Sequence, residues 1–149
     1  MTRLIAAAGG FLLAILWFDL MFDVQMLADP VSEQALASIA AYYRRVTVDS
    51  YPMANLVSAV MSLTIAGVVW QLFWGRMSLR LRLAALVLGG GPIVLAAARV
   101  LPNAMMLAVQ GGSVAEQSDL ARAIMVDHIA CFAAIGAFVL IEVVAGKEP

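Results

Sequence analysis

Charged side chains are scarce in this sequence, since only 13% of its 149 residues are Asp, Glu, Lys or Arg, whereas 64% are apolar. Soluble domains carry about 25% charged and roughly 45–50% apolar residues. The mean hydropathy of +0.96 is correspondingly high. A chain with so little charge cannot cover a water-exposed surface, so the composition excludes a soluble domain and predicts an integral membrane protein.

Further shortages exclude other classes of protein. The formal net charge is -1, so there is no basic excess of the kind that nucleic-acid binding requires. The single cysteine, Cys131, excludes an internal disulfide framework and a cysteine-built zinc or iron–sulfur site. No internal repeat or flexible linker divides the chain. We therefore predict one transmembrane domain over residues 1–149.

Long apolar runs are what the sequence has in abundance. Four of them match the roughly 20 helical residues that cross a hydrocarbon core, namely residues 4–27, 53–74, 83–109 and 121–145. Between the first two, Asp29 and Pro30 resemble a helix start, and apolar residues then recur at helical spacing. The predicted fold is all-α: an integral membrane four-helix bundle with a short amphipathic helix at the outer interface between spans 1 and 2.

Arginine placement predicts the orientation. Arg76, Arg80 and Arg82 lie in the turn between the second and third spans without any acidic residue, so this turn should face the cytoplasm. Both termini then fall on the same side. We predict a multi-pass protein of the inner (plasma) membrane with both termini cytoplasmic. Tyr42 and Tyr43 are expected to anchor the outer interface.

Ionisable residues gather toward the outer half of the predicted bundle. The helical rise places Arg99 about 24 Å and Asp19 about 22 Å from the inner ends of their spans, while Asp127 and His128 lie about 10 Å below the outer start of theirs. Asp23 follows Asp19 by one helical turn and shares its face. Charges at this depth are normally paired or turned toward a cavity, so we expect these residues to meet.

Irregular and small residues surround this level. Gly89 to Pro92 predict a kink in the third span, and Pro102 removes another backbone hydrogen bond one turn from Arg99. Asn103 shares a face with Arg99. The second span presents a thin face on which Asn55 should reach the site.

Each of these residues also has a structural interpretation. Asp19 and Arg99 could form a purely structural ion pair, and His128 could be a hydrogen-bonded core residue instead of a base. Arg44 is interpreted either as an interfacial residue or as a ligand-binding one. Glu142 is expected to extend toward the cytoplasmic interface.

Short motifs on the third and fourth spans carry a family resemblance. The segment Arg99-Val-Leu-Pro-Asn103, followed by Arg122 and the Asp127-His128 pair, resembles the anthrone-oxygenase-like family of small four-span membrane proteins. The likeness extends to residues 40–45 in the first outer loop and to Tyr51-Pro52.

That resemblance implies a cofactor-independent oxygenase acting on an activated aromatic compound. Asp127 would orient His128 as the base, Arg99 and Asn103 would hold the enolate oxygen, and Asp19 and Asp23 would tune or shuttle protons. The predicted catalytic residues are therefore His128, Asp127 and Arg99. The predicted substrate-binding residues are Asp19, Asp23, Asn103, Asn55 and Arg44.

Two functions thus remain open on the sequence. The first is oxygenase-like chemistry, or binding of a small lipophilic molecule, at a polar site in the outer half. The alternative is a non-enzymatic accessory or structural subunit of a membrane complex. We predict no cofactor and no metal, although nine methionines keep a copper site as a minor alternative. The expected partners are the lipid bilayer, a lipophilic molecule, and a membrane protein or a second copy of the chain.

Overall fold

Helices make up nearly all of the ranges that the computed structural model describes, which are residues 2–28, 31–49 and 51–145. The helices are α1 (Thr2–Asp23), α2 (Glu33–Tyr43), α3 (Tyr51–Trp74), α4 (Leu79–Leu95), α5 (Leu101–Ala108) and α6 (Val114–Ala145). A 3-10 turn follows α1 at Val24–Leu27, and π-helical turns lie at Arg44–Val48 and Ala96–Val100. These ranges contain no strand.

Four helical segments are long and apolar enough to cross a membrane, at Thr2–Leu27, Pro52–Trp74, Leu79–Ala108 and Val114–Ala145. The predicted all-α membrane bundle is therefore confirmed. The third segment begins earlier than the apolar run because Ser78 caps it by accepting a hydrogen bond from the Leu81 N–H, so that the arginines at 80 and 82 lie in its first turns.

The four spans pack as a ring. α6 packs most extensively against α1 and also lies beside α4, while α3 lies beside both α1 and α4. α3 and α6 therefore face each other diagonally. We call the end of the bundle that carries α2 the α2 end, and the end that carries the α3–α4 connection the turn end.

One stripe of α6 forms the centre of the bundle. Its buried residues alternate three and four apart along the helix, which is the spacing of knobs-into-holes packing between nearly aligned helices. The stripe comprises Ala121, Ile124, His128, Cys131, Ile135, Phe138 and Glu142. Each end of this otherwise apolar stripe thus carries one polar side chain, His128 toward the α2 end and Glu142 toward the turn end.

Glycines allow close packing near the turn end. A Cβ atom at Gly9 would lie 2.8 Å from Val139 Cγ2 and 2.9 Å from Phe138 Cε1, and one at Gly89 would lie 3.0 Å from the Phe138 ring. α1 and α4 therefore approach α6 from two sides of Phe138, and larger residues would push them away.

The third span is irregular, but one turn later than expected. α4 continues through Pro92 to Leu95, and the backbone hydrogen bonding then changes from α-helical to π-helical at Ala96–Val100. In this turn the Leu101 N–H bonds to the Ala96 carbonyl, five residues back in the chain. Pro102, the next residue, has no N–H with which to bond the Ala98 carbonyl. The π turn is the segment that carries Arg99.

The predicted interfacial helix corresponds to α2. Its N-cap is Ser32, whose hydroxyl accepts a hydrogen bond from the Ala35 N–H at 3.1 Å. The start expected at Asp29-Pro30 lies outside the described residues. The apolar face of α2, including Leu36 and Ile39, is buried against α5 and α6. α2 therefore covers one end of the bundle.

Candidate functional site

Asp23 and His128 are the centre of a buried polar cluster at the α2 end. The His128 Nδ1 atom lies 2.7 Å from Asp23 Oδ2, and the Tyr43 hydroxyl donates a 2.6 Å hydrogen bond to Asp23 Oδ1. Asp23 is fully buried and His128 is 4% exposed. Three elements that are far apart in the chain, α1, α2 and α6, are therefore joined through one carboxylate.

Asp19 extends the cluster by one helical turn. The Tyr42 hydroxyl donates a 2.6 Å hydrogen bond to Asp19 Oδ1, and Asp19 Oδ2 lies 3.8 Å from His128 Nε2. The imidazole thus lies between two carboxylates, each of which also accepts a hydrogen bond from a tyrosine hydroxyl. We call Asp19, Asp23, Tyr42, Tyr43 and His128 the α2-end cluster.

The two tyrosines act as donors to this cluster. Burial raises the pKa of Tyr42 and of Tyr43 above its ordinary value, and the nearby charges of Asp19 and Asp23 raise both further. Each hydroxyl therefore keeps its proton throughout the physiological pH range. The two hydroxyls compensate the carboxylates without adding charge.

Arg99 and Asp127 form a separate ion pair beside the cluster. Arg99 Nε lies 2.9 Å from Asp127 Oδ2, whose side chain is 7% exposed, while the Arg99 side chain is 55% exposed. Asp127 Oδ2 accepts no aligned hydrogen bond within the described residues, so the contact is mainly electrostatic. Asp127 therefore faces the π turn, and His128, its neighbour in the chain, faces α1 and α2.

The other predicted residues are not brought to the cluster. Arg44 pairs instead with Asp49 at 3.6 Å on the surface. Asn55 is exposed on α3, where residues 52–63 include no buried side chain, and Asn103 is partly exposed without a described contact to the cluster. Asn55 does not reach the cluster because the neighbouring helices cover little of the first half of α3.

The groove described at the α2 end does not lie over the cluster. The groove found at this end has a volume of about 610 Å³ and is lined by residues of α5, α6 and the connection between them, including Met106, Gly112 and Asp119. None of the predicted site residues lines it. Among the described residues, no three His, Cys, Asp or Glu side chains are grouped so that they could hold a metal ion.

Sequence reasoning missed the roles of both tyrosines and of Glu142. Tyr42 and Tyr43, expected as interfacial anchors, are hydrogen-bond donors to the buried carboxylates. Glu142 does not extend toward the interface, because it is fully buried and accepts a 2.8 Å hydrogen bond from Gln71 across the bundle. The available signal was the helical spacing of Tyr43 with Leu36 and Ile39, which places its ring on the buried face of α2.

A family model described as ER membrane protein SH3, that of the SHR3 chaperone family, matches residues 1–145. Neither a curated protein nor a solved structure matches the chain. The predicted resemblance to anthrone oxygenases is therefore wrong, since the match over nearly the whole chain is to a different family. The short motifs at residues 99–103 and 127–128 were too common among membrane helices to identify a family.

The predicted plasma-membrane location is also wrong, because the matching family is one of the endoplasmic reticulum membrane. The oxygenase interpretation depended on the rejected resemblance, and the non-enzymatic accessory protein fits the family better. Members of this family act with other membrane proteins as chaperones. On the evidence of a match to 145 of its 149 residues, the chain belongs to the SHR3 chaperone family of ER membrane proteins.

Proposed function

We propose that this chain is a non-enzymatic chaperone that holds other membrane proteins inside the bilayer, and that its α2-end cluster is a scaffold for α2. The roles predicted for His128, Asp127 and Arg99 in catalysis would then be structural ones. Under this proposal the cluster fixes the shape of the bundle, and the lipid-facing helix surfaces bind the other membrane proteins.

The closure of Asp23 is the observation that carries this proposal. Both of its oxygens are engaged, one by Tyr43 and the other by His128, and none of its surface is exposed. A base must reach the proton that it removes, within hydrogen-bond distance or through one water. A histidine held between two carboxylates beneath α2 is better suited to joining helices than to meeting a substrate.

A holding function also requires a helix surface that another span can reach. The first half of α3 provides one, because residues 52–63 include no buried side chain. Its exposed small and polar residues, such as Asn55 and Ser58, would allow another helix to approach closely and to form hydrogen bonds. Exposed apolar side chains such as Leu56 surround them.

The test compares two variants in cells that depend on the chain. His128→Ala removes the imidazole from the cluster, and we expect it to lower the amount of folded chain, with aggregation of newly made multi-span proteins rising in proportion. Ser58→Leu fills the small face of α3, and we expect normal abundance with weaker co-isolation of those proteins. Val87→Leu, at an exposed position of α4, is the matched control.

The enzymatic alternative predicts a different pattern. His128→Ala would then be as abundant and as heat-resistant as the unaltered chain, and it would still protect newly made membrane proteins. That result would reject the scaffold. Unchanged co-isolation by Ser58→Leu would reject the proposed holding surface.

A further inference from the structure

Arg99 is the charged residue of the third span that faces outward at the level of the α2-end cluster. Its Nε is held by the buried Asp127 carboxylate, yet its side chain is 55% exposed. Within the described residues, its two terminal Nη groups donate to no other side chain or carbonyl and meet no second carboxylate. The free edge of the guanidinium therefore points away from the protein.

The surroundings of Arg99 are apolar and lipid-facing. Met106, seven residues further along the span and therefore on the same helix face, is 58% exposed. From Arg82, the last arginine in the first turns of the span, to Arg99 the helical rise gives about 26 Å, somewhat less than the roughly 30 Å of the hydrocarbon core. Arg99 therefore lies just inside the hydrocarbon edge of the leaflet at the α2 end, from which its long side chain can extend to the headgroups.

We propose that Arg99 binds the phosphate of one phospholipid molecule, with Asp127 fixing the orientation of the guanidinium. The two terminal N–H groups form a planar fork that matches two phosphate oxygens. The exposed Met106 side chain, on the same helix face as Arg99, offers contact to an acyl chain. Phosphate is the anion common to membrane phospholipids, so the site recognises the phosphate and tolerates different headgroups.

Replacing Asp127 should change the phospholipid affinity in a direction that distinguishes this proposal from a purely structural ion pair. The Asp127 carboxylate partly neutralises the guanidinium and repels an approaching phosphate, so it positions Arg99 at the cost of some affinity. Asp127→Asn keeps a side-chain oxygen that can face Arg99 but removes the negative charge, so this variant should bind phospholipid more tightly than the unaltered chain. If Arg99 and Asp127 were only a structural pair, removing either charge would merely weaken the fold.

The experiment uses the full chain in a mild detergent and measures the retention of added lipids by native mass spectrometry. Phosphatidylglycerol and phosphatidylcholine should both be retained, whereas diacylglycerol, which lacks phosphate, should not. Arg99→Gln should lower phospholipid affinity about tenfold, the loss expected for a charge-assisted hydrogen bond. Arg122→Gln, at an exposed position on α6, is the matched control and should change nothing.

Two further variants keep the proposal testable if Arg99→Gln does not fold. Arg99→Lys keeps the positive charge but loses the fork, and we expect it to retain less phospholipid. Arg99→Gln combined with Asp127→Asn leaves no unpaired buried charge, and it should bind phospholipid about tenfold more weakly than the unaltered chain.

Several outcomes would overturn the proposal. Equal retention of diacylglycerol would mean that the acyl chains alone are bound. Displacement of the lipid by millimolar inorganic phosphate would mean a site for free phosphate. Unchanged phospholipid affinity in Arg99→Lys and in the double variant would mean that Arg99 takes no part.

Discussion

The two ends of the bundle each bury polar side chains, but they use them differently. At the α2 end, five side chains from three elements form a network around two carboxylates and one imidazole. At the turn end, one hydrogen bond from Gln71 to Glu142 joins α3 and α6 across the bundle, beside glycines packed on Phe138. The α2 end thus depends on a charged network, and the turn end depends on close packing around the buried, hydrogen-bonded Gln71 and Glu142 pair.

This difference has a consequence for stability. A buried charge that loses its partner is strongly destabilising, whereas a buried polar pair replaced as a whole by apolar residues of similar size is often tolerated. We therefore expect the two ends to respond differently to mutation. The α2 end should not tolerate removal of one member, while the turn end should tolerate replacement of its pair.

The largest effect is expected for Asp23→Ala. The substitution leaves both the Tyr43 hydroxyl and His128 without their buried acceptor, so the free energy of unfolding should fall by about 3–5 kcal/mol. Unfolding in mixed detergent micelles measures this. Asp49→Ala removes the exposed partner of Arg44, and it should change the same quantity by less than about 1 kcal/mol. Equal effects of the two substitutions would contradict the comparison.

A smaller effect is expected for Gln71→Leu at the turn end. Glu142 loses its described donor, and the free energy of unfolding should fall by about 1–3 kcal/mol. Combining Gln71→Leu with Glu142→Leu removes the whole pair and should restore most of that loss. Thermal unfolding of the two variants in the same detergent decides the matter, and a double variant weaker than the single one would show that the pair resists apolar replacement.

Gly9→Ala tests the packing at the turn end. The new methyl group would lie 2.8 Å from Val139 Cγ2, so overpacking should cost about 1–3 kcal/mol. A methyl group at the neighbouring Gly10 would meet no packing neighbour within 4 Å, so Gly10→Ala should be neutral or stabilise α1 by up to about 1 kcal/mol. The same unfolding assay measures both, and a loss at Gly10 equal to that at Gly9 would reject packing as the cause.

Alkaline pH should weaken the α2 end. Burial raises the pKa of Tyr43 in the folded protein, with Asp23 adding to the shift, whereas an unfolded tyrosine ionises near pH 10. The contribution of Tyr43 is therefore fully present below pH 10 and falls by about 1.4 kcal/mol per unit above it. Tyr43→Phe should remove this contribution and leave that of Tyr42. Absorbance of tyrosinate near pH 10.5 in the folded chain that Tyr42→Phe or Tyr43→Phe abolishes would contradict a protected tyrosine pair.

Sequence reasoning found the residues of the charged region better than it found their contacts. The depth estimates placed Asp19 and His128 at one level, because helical rise is nearly constant, and the four-residue spacing placed Asp23 on the face of Asp19. They could not find the tyrosine hydroxyls, because the way a loop helix folds over a bundle is not encoded in hydropathy. Asn55 was expected at the same level, but its depth did not reveal that its face of α3 points away from the other spans.

The sequence by itself determined that this is a four-span helical membrane protein, because charge too scarce for a soluble surface and four long apolar runs leave few other folds. It also determined the level at which its ionisable residues lie. Only the tertiary structure decided that Asp23 is closed between Tyr43 and His128, that Arg99 faces outward from Asp127, and that Glu142 meets Gln71 across the bundle. The rotation of each helix about its axis decides these pairings, and that rotation is set by packing between helices.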